Sequence, residues 1–317
     1  MKTGNNTAHT AASMYRLADQ LPKASRRELR KIIQKLREGR GQGRRDAYKA
    51  WIRIRRRLSS KDAHQVLSHL PLRKQSFNFL SKVEEDTGLV LGWLGASEIR
   101  EGLPAWPTEH PSPVAGWSRE LDAQVGSVPG LMEIAREAGI DHGVYPGTRL
   151  PYIATVDVVS ILTPSTPGRL LFIGCKPTSE LLTSARVRER LELERRYALA
   201  CGGVHRIVHE QTFHPMLIEN LRWIAPGFTD LQRLQTSAAL RDFCGAFLEV
   251  CSNLPVTEAC DAAAMRVGAP HAAESMFRAG LWLRLIDADL TVRIARTRPL
   301  LRDDGRHAEE QRSWLMG

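Results

Sequence analysis

A chain of 317 residues, 43% hydrophobic and 25% charged, holds enough apolar material for two ordinary domains with their own cores, which excludes a disordered or fibrous class. No apolar run approaches the roughly 20 residues that cross a bilayer, the first residues lack the apolar centre of a signal peptide, and five cysteines without CxxC spacing speak against a disulfide framework or a zinc site. The net charge of +10 is concentrated: between Lys23 and Lys61 sixteen Lys and Arg face three acids, a local +13 that leaves the rest near −3.

Such a basic segment is the footprint expected of nucleic-acid contact, because each neutralised phosphate releases counterions. A solvated helix face or a patch for an acidic protein is the competing reading. Residues 1–22 read as loosely ordered. Ser25 with Glu28 has the spacing of a capping box and predicts a helix over Arg26–Glu38, with Leu29, Ile32, Ile33 and Leu36 on one face. The glycines of GRGQG (Gly39–Gly43) end it in a turn. Tyr48 and Trp51 follow and are expected to pack. The candidate phosphate contacts are Arg40, Arg44, Arg45, Lys49, Arg53, Arg55, Arg56 and Arg57. Ser76–Trp93 is predicted as one helix, and residues 103–130, with five prolines, as a long surface insertion. Leu131–Gly139 reads as a short helix closed by glycine.

The central block, residues 152–225, carries the chemistry. YIATVDVVSIL (Tyr152–Leu162) is a β-branched strand with one acid, Asp157, inside it. After a turn, the strand Arg169–Cys175 runs into Lys176, so the two strands predict an antiparallel hairpin. A long helix over Ser184–Cys201, the pair Gly202-Gly203 and a strand at Val204–His209 complete a β–β–α–β order, an α/β (α+β) core. A carboxylate within an apolar strand is costly unless it has a purpose. It is also a natural ligand for a hard cation such as Mg²⁺, and a lysine beside it suits phosphodiester hydrolysis, as base or as charge stabiliser. Glu84 is the best candidate for a third group and Glu85 the reserve. An Asp–Lys structural ion pair would leave the same signature.

Beyond Pro226-Gly227, Leu231–Cys251 predicts one or two helices, Pro255–Glu258 the start of another, and His271–Ala279 a third. Leu281–Leu285 and Leu290–Ile294 alternate like a hairpin, which makes the module winged-helix-like. Its recognition helix holds His271, Glu274 and Arg278, too few basic groups to favour base reading over protein docking. The expected division is 1–22, a core domain at 23–225, a second domain at 226–300, and a tail at 301–317. His205 and His209 have metal-pair spacing only on a helix; in a strand they stand about 13 Å apart. Glu192 and Glu194 are expected on a solvated face or in a salt bridge, with Glu194 pointing toward the site as the weaker alternative, and the Cys175 side chain should point away from Lys176.

Several segments resemble the TnsA-type endonuclease subunit of heteromeric DNA transposases. They are GRGQG with YKAW (Tyr48–Trp51), LSKVEEDTGLVLGWLGASEIREGLP (Leu80–Pro104), LMEIAREAGIDH (Leu131–His142), YIATVDVVSIL, LLFIGCKPTSEL (Leu170–Leu181) and RVRERLELERRYALACGG (Arg186–Gly203). They stand in the family's order from Gly39 to Trp223. The resemblance implies a restriction-endonuclease-like fold with Glu84, Asp157 and Lys176 as catalytic residues. The metal, Mg²⁺ or in its place Mn²⁺, with up to two ions, would sit on Glu84, Asp157 and the backbone carbonyl of Cys175. It further implies cuts at the 5′ ends of a mobile element, on the non-transferred strand. The implied partners are double-stranded DNA, a DDE-type transposase subunit, and an AAA+ ATPase regulator that docks through the C-terminal domain. The implied setting is the bacterial cytoplasm at the nucleoid, with no membrane. Two glycines depart from the pattern: Gly174 and Gly102 stand where the family has glutamine. Gly174 motivates a second reading, a cleavage-impaired subunit that holds DNA in the assembly; a restriction or repair nuclease of the same fold is a third.

Overall fold

Four apolar residues at positions 29, 32, 33 and 36 form one stripe of helix α1 (Lys23–Arg37), and that stripe is buried against Trp51, Leu150 and Ile153. The computed structural model describes residues 22–54, 66–68, 70–113, 115, 123, 126–162 and 170–317. Of the candidate phosphate contacts, Arg55, Arg56 and Arg57 lie outside the described residues, as does most of the segment 1–22. Helix α1 does not start on a capping box. Pro22 precedes it, and Ser25 lies inside the helix, fully buried, its Oγ accepting from the backbone N–H of Arg149 at 3.2 Å.

The expected single helix over 76–93 divides in two. Phe77–Phe79 forms strand β2, paired antiparallel with β1 (Val66–Ser68), and helix α2 covers Lys82–Trp93. The helix begins where it does because Ser81 caps it: the Ser81 Oγ accepts from the Glu84 N–H at 3.2 Å, and the Glu84 carboxylate reaches back to accept from the Leu80 N–H at 2.8 Å. The capping box is therefore Ser81 with Glu84, satisfying otherwise orphaned donors of the first turn.

Strand β3 (Ala96–Ala105) follows, then the short pair β4 (His110–Pro111) and β5 (Ser127–Val128), and helix α3 (Leu131–Ala138), which ends on left-handed Gly139. The proline-rich stretch is thus partly built into the fold. Pro104 is tolerated in β3 because that strand is an edge of the sheet. His110 is buried, with its Nε2 2.8 Å from the Tyr197 hydroxyl.

The hairpin of β6 (Ala154–Leu162) and β7 (Leu170–Cys175) forms as the sequence predicts, antiparallel with Val158 opposite Ile173. After a short helix α4 (Thr178–Thr183), helix α5 (Ala185–Ala200) returns the chain to β8 (Val204–Val208), parallel to β7. The sheet order is β3-β6-β7-β8. Val90 and Leu91 of α2 share a core with Val158 and Ile173, while Leu193 and Tyr197 of α5 share one with Val159 and Phe172. Helices cover both faces, which is why β6 and β7 read as nearly continuous apolar runs.

The C-terminal part is helical: α6 (Pro215–Ile224), α7 (Phe228–Leu234), α8 (Ala238–Val250), α9 (Val256–Arg266), α10 (Ala273–Trp282) and α11 (Arg306–Met316). The core on the α2 face continues without a break into these helices as far as Leu315. The hairpin expected over 281–294 is not formed. Leu281 and Trp282 finish α10, and the Leu290 and Val292 carbonyls accept from the Asn220 side chain, both at 2.8 Å, in place of a partner strand. The module therefore has helices and no β-wing.

Candidate active site

The hairpin register sets the first pair of groups. One residue before the Val158–Ile173 pair, the Asp157 Oδ2 accepts from the Cys175 N–H at 2.8 Å and from the Lys176 ammonium at 2.5 Å. Lys176 Nζ also donates to the Cys175 carbonyl at 3.0 Å, and the Lys176 N–H ties the strand end to the Val208 carbonyl at 3.0 Å. Both side chains are largely buried, 12% exposed for Asp157 and 14% for Lys176. Burial alone would depress the lysine, but Asp157 and then Glu194 more than offset it, so its net shift is upward. Lys176 is an ammonium here, fit to stabilise anionic charge and poorly fit to act as a base.

Glu84 arrives from the other face. Its place is fixed by the capping box at the start of α2, and it is 5% exposed. Burial, and next the charge of Asp157, push its carboxyl up to about 8. A buried carboxyl raised by a neighbouring acid favours a bound proton, or a cation in its place. Glu85 turns elsewhere: with Asp86 it faces Arg222 of α6, at 3.4 Å. The structure thus brings Glu84, Asp157 and Lys176 together and leaves Glu85 aside.

Among the described residues no three His, Cys, Asp or Glu side chains stand grouped as a ready metal cage. The donors present are the Glu84 and Asp157 carboxylates and the Cys175 carbonyl. That all-oxygen set fits Mg²⁺ or Mn²⁺, which take one or two carboxylates and leave remaining positions to water and phosphate. The Cys175 side chain turns away, as expected. Its Sγ lies 3.6 Å from the Thr87 hydroxyl oxygen, and burial first, then Asp157, raises the thiol well above its ordinary value, so it is no nucleophile.

Both departures from the family pattern flank Asp157. Gly174 lies beside it on β7, and Gly102 on β3 lies between the pairs Glu101–Val158 and Leu103–Val156. Gly102 has φ +55°, where a side chain is strained. At Gly174 a Cβ would stand 2.5 Å from Leu191 Cδ2 and 3.0 Å from Glu194 Oε2. The space of the absent side chain is occupied by Leu191 and the Glu194 carboxylate, both from α5. Glu194 is buried, neither of its oxygens has a hydrogen-bond partner, and the similarly buried His205 Nε2 lies 3.8 Å away, also without a partner. The expected solvated position of Glu194 is overturned, whereas Glu192 does lie outward, paired with Arg195 and Arg196. The inward position of Glu194 was the weaker of the alternatives that sequence reading offered. The signal was its i+3 spacing from the buried Leu191, on the inward face of α5. His209 lies in the turn after β8 and shares no site with His205.

The remaining candidate phosphate contacts sort by burial. Arg40 is turned inward onto Glu38 at 2.6 Å, and Arg44 lies 3.5 Å from the buried Glu98. Lys49 donates to the Glu38 carbonyl at 3.1 Å, while Arg45 and Arg53 are exposed. Tyr48 and Trp51 are core, as expected.

No family model matches the chain. Over 194 residues it is 27% identical to the Transposon Tn7 transposition protein TnsA of Escherichia coli, covering 61% of each protein. The chain thus spans about three-fifths of that relative's length. The likeness makes it a distant, TnsA-like protein. Among the described residues no helix is long and apolar enough to cross a membrane.

Proposed function

We propose that this TnsA-like chain is the endonuclease subunit of a cut-and-paste transposition system, hydrolysing phosphodiester bonds at the 5′ ends of a mobile element. The observation that carries the reading is the meeting of Glu84, Asp157 and Lys176, from three separate elements, at one end of the sheet. Bound at Glu84, Asp157 and the Cys175 carbonyl, a divalent cation would supply Lewis acidity and neutralise phosphate charge. In hydrolysis a water oxygen forms a new bond to phosphorus while an ester P–O bond breaks. The Lys176 ammonium, held by Asp157, faces the negative charge that builds on the phosphoryl oxygens. Beside Asp157 the Gly102 position is open, since a Cβ there would have no neighbour nearer than the Ile52 N at 3.9 Å, whereas Leu191 and Glu194 fill the space at Gly174. Double-stranded element ends, a DDE-type transposase and an AAA+ regulator are the partners this reading assigns, with the C-terminal helices as the docking unit for the regulator.

The test is nicking of an element-end duplex in Mg²⁺ with the partner transposase present. Wild type is expected to cut, and Asp157→Ala and Lys176→Ala to lose at least a hundredfold in rate. Absent nicking, or nicking unchanged in both variants, rejects the reading. In the DNA-holding alternative the chain would bind the duplex without nicking it, the outcome that the same assay distinguishes.

A further inference from the structure

The basic segment divides into charges that are satisfied within the protein and charges that are not. Lys31 pairs with Glu28 at 2.7 Å, Arg40 with Glu38, and Lys35 lies over the Trp51 ring at 4.7 Å. Lys23, Arg26, Arg27 and Arg30 are exposed and have no ion-pair partner among the described residues. Their i,i+3 and i,i+4 spacings gather them on one side of α1, roughly a third of a turn from the stripe of Leu29, Ile32, Ile33 and Leu36, over about 10 Å of helix.

Nothing in the helix itself accounts for them. The first turn of α1 contains no acid, so cations there oppose the helix dipole, and like charges at i,i+4 repel. The patch also has a place relative to the reactive groups. The Ser25 Oγ accepts from the N–H of Arg149, another exposed arginine without an ion pair among the described residues. Leu150 and Ile153, packed beneath α1, lie on the segment that enters β6 at the end of the sheet holding Asp157 and Lys176.

We infer that the exposed face of α1, with Arg149, is a track for the phosphate backbone of duplex DNA beside the bond to be cut. Duplex DNA presents one negative charge per about 1.7 Å of its axis, so roughly 10 Å of basic helix meets several phosphates. Arginine's planar fork suits phosphate oxygens. The inference rests on the nuclease reading for its location, and binding alone tests it.

The experiment is fluorescence anisotropy of the full chain with a random-sequence duplex between about 50 and 200 mM salt, the range over which phosphate contacts alter affinity most visibly. In the triple variant Arg26→Gln, Arg27→Gln, Arg30→Gln, affinity at low salt is expected to fall at least tenfold. The log–log salt slope should shrink by about 2 to 3, near 0.9 per lost phosphate contact, with the melting temperature unchanged or raised. Wild-type affinity and slope in that variant overturn the inference, and so does a wild type that binds no duplex. If DNA binding is unaffected but polyglutamate binding is lost, the face belongs to an acidic protein instead. Asp157→Ala separates the two claims: it should bind duplex with the wild-type slope, whatever its effect on nicking.

Discussion

Glu84 shows how burial and a neighbouring charge set a residue's chemistry. Its carboxyl is pushed from 4.5 to about 8, by burial and then by Asp157. An acid raised in the folded state binds a proton there that the unfolded chain releases, so it stabilises below about pH 4.5 and that stability fades as pH rises towards 8. Melting temperature measured across this window without metal should therefore fall more steeply for wild type than for Glu84→Gln; parallel profiles would refute the assignment. Glu194 gives a second prediction. Its buried carboxylate has no hydrogen-bond partner, and neither has the neighbouring His205 Nε2, so Glu194→Gln, whose amide can donate to that nitrogen, should stabilise the metal-free protein by roughly 1 kcal/mol. The same change should weaken Mn²⁺ binding measured by calorimetry. A drop in stability would show instead that the Glu194–His205 pair holds the fold. Residue types were legible in the sequence, and Asp157 and Lys176 could be paired from their hairpin. The inward turn of Glu194 could not, because the direction of one side chain on a charge-rich helix depends on what packs beneath it.

At the scale of elements, periodicity located α3, α5, β6, β7 and β8 because each has a clear repeat and a turn at its ends. It misjudged the start of α2, since Phe77–Phe79 continues the apolar pattern in front of a cap. The cap matters for function: Ser81 starts the helix and also fixes Glu84. Ser81→Ala should cost about 1 kcal/mol in denaturant unfolding. It should reduce nicking more than a comparable loss of stability elsewhere in α2, because Glu84 is then held by one fewer contact. Equal losses at both places would separate the cap from the site. The missing hairpin at 281–294 has the converse lesson. Alternation alone does not make a strand when a side chain, here Asn220, satisfies the backbone.

At the scale of the whole molecule, α2 is held along its length by the C-terminal helices. Arg222 of α6 meets Glu85 and Asp86 near its start. A Cβ at Gly92 would stand 3.2 Å from Trp282 of α10, and Arg312 of α11 donates to the Leu94 carbonyl at 2.7 Å just past its end. The helix that presents Glu84 is thus braced by the C-terminal helices. Removing residues 226–317 would uncover Trp93 and Leu94, and the fragment should melt well below the full chain; an equal melting temperature would show that the brace is dispensable. Arg222→Ala, at a half-exposed pair, should change stability by no more than about 1 kcal/mol.

The amino-acid sequence by itself determined the α/β core, the acid–lysine hairpin and the basic character of the N-terminal segment. These are local properties, written in repeat, turn residues and charge. Only the tertiary structure decided which glutamate faces Asp157, what occupies the space at Gly174, and which arginines remain unpaired. Each of those answers depends on residues far apart in the chain meeting across a packed core, and no local pattern records which side chains will be neighbours there.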